Sequence, residues 1–253
     1  MRRNDINRRD FLKTTVLGVA AGGLLFGCNQ QNDVYQPPLL DQAPDGPKLR
    51  AGLVGCGGQG TGSAIQFINA EPNLTISALG DVFEDRLNLC RTSIDEQTGI
   101  TVPEENTFLG FDAYQKVINS DIDVVLLATP PHFRPAQFEY AVNANKHVFL
   151  EKPLAVDPVG ARSVMASARK AKNLGLNVLT GTNMRHSRDI VATHSKVMEG
   201  AIGEIVSVTV LRNGGQLWYR TPRPEWTEME YMIRDWVNWC WLSGDHIVEQ
   251  HIH

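Results

Sequence analysis

Glu151-Lys152-Pro153 follows directly on the apolar run Val148-Phe149-Leu150. Much earlier in the chain comes Gly55-Cys56-Gly57-Gly58-Gln59-Gly60. The glycine motif alone says that a dinucleotide can bind. A lysine at the end of a later strand of the same sheet points to the reacting end of that dinucleotide. The two together predict redox chemistry at a nicotinamide, with Lys152 in the site. Its ammonium can donate a hydrogen bond to a reacting hydroxyl or carbonyl and stabilise developing negative charge. Glu151 would orient it, and Pro153 would fix the turn. A surface Glu-Lys pair after a strand is the alternative.

Gly55, Gly57 and Gly60 fit G-x-G-x-x-G. The first glycine allows the tight turn, the second admits the pyrophosphate, and the third lets helix approach strand. Gly58 and Gln59 complete the loop, and the following helix N-terminus attracts phosphate. Cys56 reads as a small space-filler. Asp81 ends the next strand, about 20 residues beyond the motif, where a carboxylate would accept from the ribose hydroxyls. That favours NAD over NADP, although Arg86 leaves NADP open. Asp81 as a helix cap before Glu84 is the bland reading.

Thr129, Pro130, Pro131 and His132 follow a later strand, where the crevice of such a sheet lies. His132 either lines the nicotinamide side or caps the next helix. Glu249 and His253 are four apart and share a face if the segment is helical. Such a pair can relay a proton, with His253 as general base. An ordinary helix face is the alternative. His246, His251 and His253 lack a metal-binding spacing, so no metal is expected.

These residues need elements to position them. Strands are expected at 48–54, 74–79, 107–109, 124–128, 147–150 and 177–180. Helices are expected at 61–70, 84–97, 112–118 under an Asp112 cap, to about 144, and at 158–172. This alternation predicts an α/β fold, a doubly wound parallel Rossmann sheet over residues 48–181. Residues 182–253 read as the incomplete start of a second, α+β domain with a mostly antiparallel sheet. Residues 187–199 look helical, and 205–212 alternate like an antiparallel strand. An aromatic stretch follows at 218–241, in which Trp218, Tyr219 and Arg220 contact a sugar or belong to core or interface. Arg185 and His186 fall near the cleft.

The chain has 253 residues, 42% hydrophobic, enough for a packed core. A net charge of −4 gives no reason to expect nucleic acid. Cys28, Cys56, Cys90 and Cys240 show no disulfide pattern. Residues 1–28 read as an address. Arg8-Arg9-Asp10-Phe11-Leu12-Lys13 resembles a twin-arginine export signal, followed by an apolar run too short to span a bilayer. Leu25-Phe26-Gly27-Cys28 resembles a lipobox, which would make lipid on Cys28 the membrane attachment; plain cleavage near Gly27 is the alternative. Residues 29–47 are a polar, proline-rich linker. Twin-arginine export carries folded proteins, so the expected NAD is held tightly and recycled in place.

Together with the run at 244–253, these motifs resemble the glucose-fructose oxidoreductase / inositol dehydrogenase / rhizopine catabolism (Gfo/Idh/MocA) family over residues 48–253. The resemblance implies a Rossmann domain, a C-terminal domain on an open antiparallel sheet, and oxidation or reduction of sugars and polyols with NAD or NADP. It implies a homo-oligomer for the full-length form. It gives Lys152 the place of the catalytic lysine and His253 that of the catalytic histidine. Glu249 falls where many members carry aspartate. The NAD-dependent glycosidases of the same fold are the rival reading, and an inactive cofactor-binding fragment is another.

Overall fold

The computed structural model describes residues 46–252. The leader 1–28 and nearly all of the 29–47 linker therefore lie outside the described residues, as does His253.

Six strands form one parallel sheet in the order β3-β2-β1-β4-β5-β6. They are β1 (Leu49–Val54), β2 (Leu74–Asp81), β3 (Thr107–Leu109), β4 (Val124–Leu127), β5 (His147–Leu150) and β6 (Val178–Thr180). Helices α1 (Gly58–Ala70) and α2 (Glu84–Thr98) join the first three strands. Helices α3 (Ala113–Asn119), α4 (Arg134–Asn143) and α5 (Pro158–Asn173) connect the rest.

Apolar strands with little alternation demand cover on both faces. On one face Ala51, Leu53, Ile76 and Leu79 meet Ala64, Leu87 and Ile94 of α1 and α2. On the other, Val125, Leu127, Val148 and Leu150 meet Val117, Phe138, Ala141 and Val164. Asp157 caps α5, its carboxylate accepting from the Gly160 N–H at 2.7 Å, and Pro158 fills the first turn. Asp112 sits at the start of α3 without capping it; its carboxylate takes Lys116 at 2.9 Å instead. At the start of β1, the Arg50 N–H donates to Asp123 at 2.9 Å, which sets β4 beside it.

After the sheet come α6 (Arg188–Met198), α7 (Glu228–Arg234), α8 (Cys240–Ser243) and α9 (Asp245–Glu249). The expected strand at 205–212 does not form, and among the described residues there is no antiparallel sheet. Val206, Val208 and Val210 are 76–88% exposed. Alternation makes a strand only where a neighbouring edge accepts its N–H and C=O groups, and none stands beside this segment.

Polar contacts help to hold this portion to the sheet. Arg234 donates both terminal nitrogens to Asp85, at 3.0 and 2.8 Å, and its Nε to Glu230 at 2.8 Å. Its guanidinium lies 3.9 Å from the centre of the Phe83 ring. Hydrogen bonding from Arg234 holds the Asp85 carboxyl below its ordinary value. A depressed folded-state value means that this docking is at full strength above about pH 4 and is lost as pH falls through that value. Acid titration of Trp226 and Trp236 fluorescence should therefore show release of α7, and D85N should lose that step. An unchanged acid transition in D85N would refute the assignment.

Candidate functional site

The glycine loop has the geometry that its spacing requires. Gly55 takes φ +98°, and a Cβ there would lie 2.7 Å from the Ala128 carbonyl carbon. A Cβ on Gly60 would lie 1.9 Å from the Gly55 oxygen, so α1 reaches β1 only with glycine at this place. Gly57 precedes α1 and Gly58 opens it, with no side-chain cap and no acidic residue in the first turn. The N-terminal N–H groups of α1 are thus left for an anionic ligand.

Asp81 braces this loop. Its Oδ2 accepts from the Cys56 N–H at 2.6 Å and its Oδ1 from the Phe83 N–H at 2.8 Å. Burial raises its proton affinity, against the pull of those two bonds and of Arg86. Cys56 is buried, and burial pushes its thiol well above the ordinary range. This is the environment of a packing residue.

Gly55, Gly57, Asp81, Arg86, Thr129, Pro130 and His132 line one cavity of about 330 Å³ across the C-terminal ends of β1, β2 and β4. The Thr129 hydroxyl donates to Gln137 at 2.6 Å. His132 does not cap α4, whose N-cap is Phe133. Its N–H donates to the Leu242 oxygen at 3.3 Å, and its ring meets Trp241 edge-on at 5.2 Å. His132 therefore joins the Thr129 loop to α8.

A larger cavity, about 1420 Å³, is lined by Gly57, Gly58, Gln59, Glu151, Lys152 and Glu249 among others. Here the structure departs from expectation. Glu151 does not orient Lys152: its carboxylate is turned to α1, accepting from Gln59 at 2.9 Å and from Ser63 at 3.3 Å. Gln59 is thereby tied to Glu151. The orienting group is Glu249, whose Oε1 and backbone oxygen accept from Lys152 Nζ at 2.9 and 2.7 Å. Both side chains are largely buried. Helix α9 closes at Glu249, and His251 and Ile252 form a turn. The helix expected to carry both Glu249 and His253 ends at Glu249, which is the partner of Lys152; the expected pairing with His253 lies outside the described residues. Asn183 and His186 also line this cavity.

One residue of this region was not anticipated. Arg134, at the first position of α4, is only 3% exposed. Its Nη1 donates to the Glu151 oxygen at 2.8 Å and to the Pro153 oxygen at 2.5 Å, bridging the carbonyls on either side of Lys152. Burial lowers its pKa to about 10, against the attraction of Glu151 and Glu249. Its Nε is buried with no partner among the described residues.

The site thus pairs an anion-ready helix N-terminus with a buried, carboxylate-held lysine at the end of β5. The family model for oxidoreductases with an NAD-binding Rossmann fold, Gfo/Idh/MocA, matches residues 49–179. A glycosyl hydrolase family 109 protein of Shewanella pealeana is 27% identical over 212 residues, which cover 79% of this chain and 44% of that protein. Its counterpart in Shewanella amazonensis is 29% identical over 209 residues, with the same coverage. The chain spans less than half the length of these curated relatives. Among solved structures, apo scyllo-inositol dehydrogenase from Lactobacillus casei is similar with a TM-score of 0.51 at 24% identity, covering 62% of this chain and 43% of its own. A structure of that enzyme with NAD(H) and scyllo-inositol has a TM-score of 0.51 at 23% identity, and covers the same shares. At that identity the likeness is one of fold. The glycine loop, the strand order and a family match over more than half of the residues agree, and the chain belongs to the Gfo/Idh/MocA oxidoreductase family.

Proposed function

We infer that this chain carries the nicotinamide-dinucleotide site of an oxidoreductase that acts on a sugar or polyol hydroxyl. The observation that carries this reading is Lys152, whose ammonium is fixed by Glu249 in the same cavity as Gly57 and Gly58. A dinucleotide fits the residues present. The loop offers bare backbone where a side chain would obstruct, and α1 offers uncapped N–H groups. Gly55, Gly57, Gly58 and Gly60 would hold the diphosphate, with Asp81 toward the adenosine ribose. Thr129, Pro130 and His132 would lie along the cofactor.

When bound, the nicotinamide takes or gives hydride at the substrate carbon. Lys152 donates a hydrogen bond to the reacting oxygen and stabilises its developing negative charge. Glu249 keeps that ammonium in place. His253, which lies outside the described residues, would accept the hydroxyl proton, the role the family resemblance gives it. Tight retention of NAD or NADP and assembly into a homo-oligomer belong to the same reading. So do twin-arginine export and lipid on Cys28.

The names of the curated relatives favour a second reading, an NAD-dependent glycoside hydrolase. One assay separates the two. Purified protein is incubated with NAD or NADP and panels of free sugars, polyols and aryl glycosides. Accumulation of reduced nicotinamide with a free sugar or polyol supports the oxidoreductase. Aglycone release without net reduction supports the hydrolase. Neither signal, from a folded chain that binds cofactor, would mean that this stretch alone does not turn over.

A further inference from the structure

Arg86 lies over the glycine loop and Arg220 lines the same large cavity, and among the described residues neither has a protein acceptor for its terminal nitrogens. A Cβ on Gly57 would lie 3.3 Å from Arg86 Nη1, so this guanidinium rests on the backbone that the second glycine leaves bare. Among the described residues the Arg86 side chain makes no hydrogen bond or close ion pair. Asp81, the nearby carboxylate, has its oxygens turned to the Cys56 and Phe83 N–H groups.

Arg220 arrives from the segment beyond the sheet. Its N–H is held by Asp235 at 2.7 Å, and its Nε donates to the Arg234 oxygen at 2.9 Å. These bonds use the backbone and Nε, so both terminal nitrogens remain as donors. Arg86 and Arg220 line the same two cavities, one of them the large cavity that holds Gly57 and Lys152. Partial loss of solvent and the neighbouring Arg86 and Arg234 guanidiniums hold the Arg220 pKa below the ordinary arginine value. Arg234 is itself satisfied by Asp85 and Glu230, and so keeps Arg220 anchored beside α2. Two positive charges are therefore held near one another with neither a carboxylate nor a carbonyl at their tips.

We propose that Arg86 and Arg220 form a clamp on the diphosphate of the bound dinucleotide, across it from the N-terminus of α1. This rests on the reading that the glycine loop binds a dinucleotide. The match is chemical: a dinucleotide diphosphate carries two negative charges, and guanidinium forks suit phosphate oxygens. The position at Gly57 selects the diphosphate rather than the ribose 2′-position. Because Arg220 belongs to the segment docked by Arg234, cofactor contact and docking of that segment reinforce each other.

The test is calorimetric titration of the full chain, freed of nucleotide, with NAD and with NADP. R86Q and R220Q are each expected to weaken both dinucleotides by one common factor, on the order of 10- to 100-fold for a lost charge-assisted bond. Arg220 is exposed, so R220Q should fold normally by circular dichroism. R223Q removes an exposed neighbouring charge that pairs with Glu225 and should bind as the unmodified chain does. Unchanged NAD affinity in R220Q would overturn the clamp. A loss confined to NADP would also overturn it, by assigning the arginines to a 2′-phosphate. No binding by the unmodified chain would sink the dinucleotide reading itself, and would be seen before any substitution is made.

Discussion

The variant R134M is expected to lose about 3–5 kcal/mol of folding stability, the range for breaking a buried charge network by removing one partner. Arg134 is the donor for the Glu151 and Pro153 carbonyls, and one of two cations set among the carboxylates of Glu151 and Glu249. Methionine fills similar space but leaves two carbonyls without that donor and the carboxylates with Lys152 alone. Burial of Arg134 already has a cost, visible in its unpartnered Nε. That cost exceeds the attraction of Glu151 and Glu249, but removing Arg134 leaves buried carbonyls without a donor and negative charge uncompensated. R134K should fall between the two, since one ammonium reaches fewer acceptors than a planar fork. Denaturant unfolding followed by circular dichroism gives the numbers. A loss below about 1 kcal/mol for R134M would show that water readily replaces the guanidinium.

The second large effect concerns chemistry. In the form of the protein that turns over, K152M should lower kcat on the order of 100- to 1000-fold, the usual range for removing one donor to a developing oxyanion. Cofactor affinity should be nearly unchanged, because the loop that would hold the dinucleotide lies on β1 and α1 rather than on β5. E249Q is the companion. An amide oxygen can still accept from Lys152, and the backbone oxygen of residue 249 already does, so its kcat should fall less than that of K152M. Equal losses in the two variants would mean that the Glu249 charge, and not Lys152, faces the substrate.

The parts of the fold that are readable in sequence are those decided locally. Gly55, Gly57 and Gly60 are dictated by close approaches within one strand-turn-helix unit. The apolar run Val124–Leu127 can only be an interior strand. Lys152 was placed at a strand end by the run before it. Its partner was not legible, because Glu151 and Glu249 are both carboxylates and only the return of α9 to β5 decides between them. The spacing of Glu249 and His253 points to a shared helical face, but the helix ends at Glu249. Arg134 gave no signal, since an arginine in a first helical turn is ordinarily a surface residue. It is buried by where β5 turns. The segment 205–212 shows the converse: a strand pattern expresses itself only beside an edge that can receive it.

The order of the strands has a consequence for how the chain is made. β1 lies at the centre of the sheet, between β2 and β4. The Arg50–Asp123 bond that sets β1 against β4 spans 73 positions. During synthesis from the N-terminus, β1 emerges early and meets β2 soon, yet its other edge waits until β4 has left the ribosome. Lys152, on the far side of β4, can be set in place only after that. Completion of the sheet around Lys152 therefore trails the pairing of β1 with β2, and a nascent chain passes through a stage in which one edge of β1 is still unpaired.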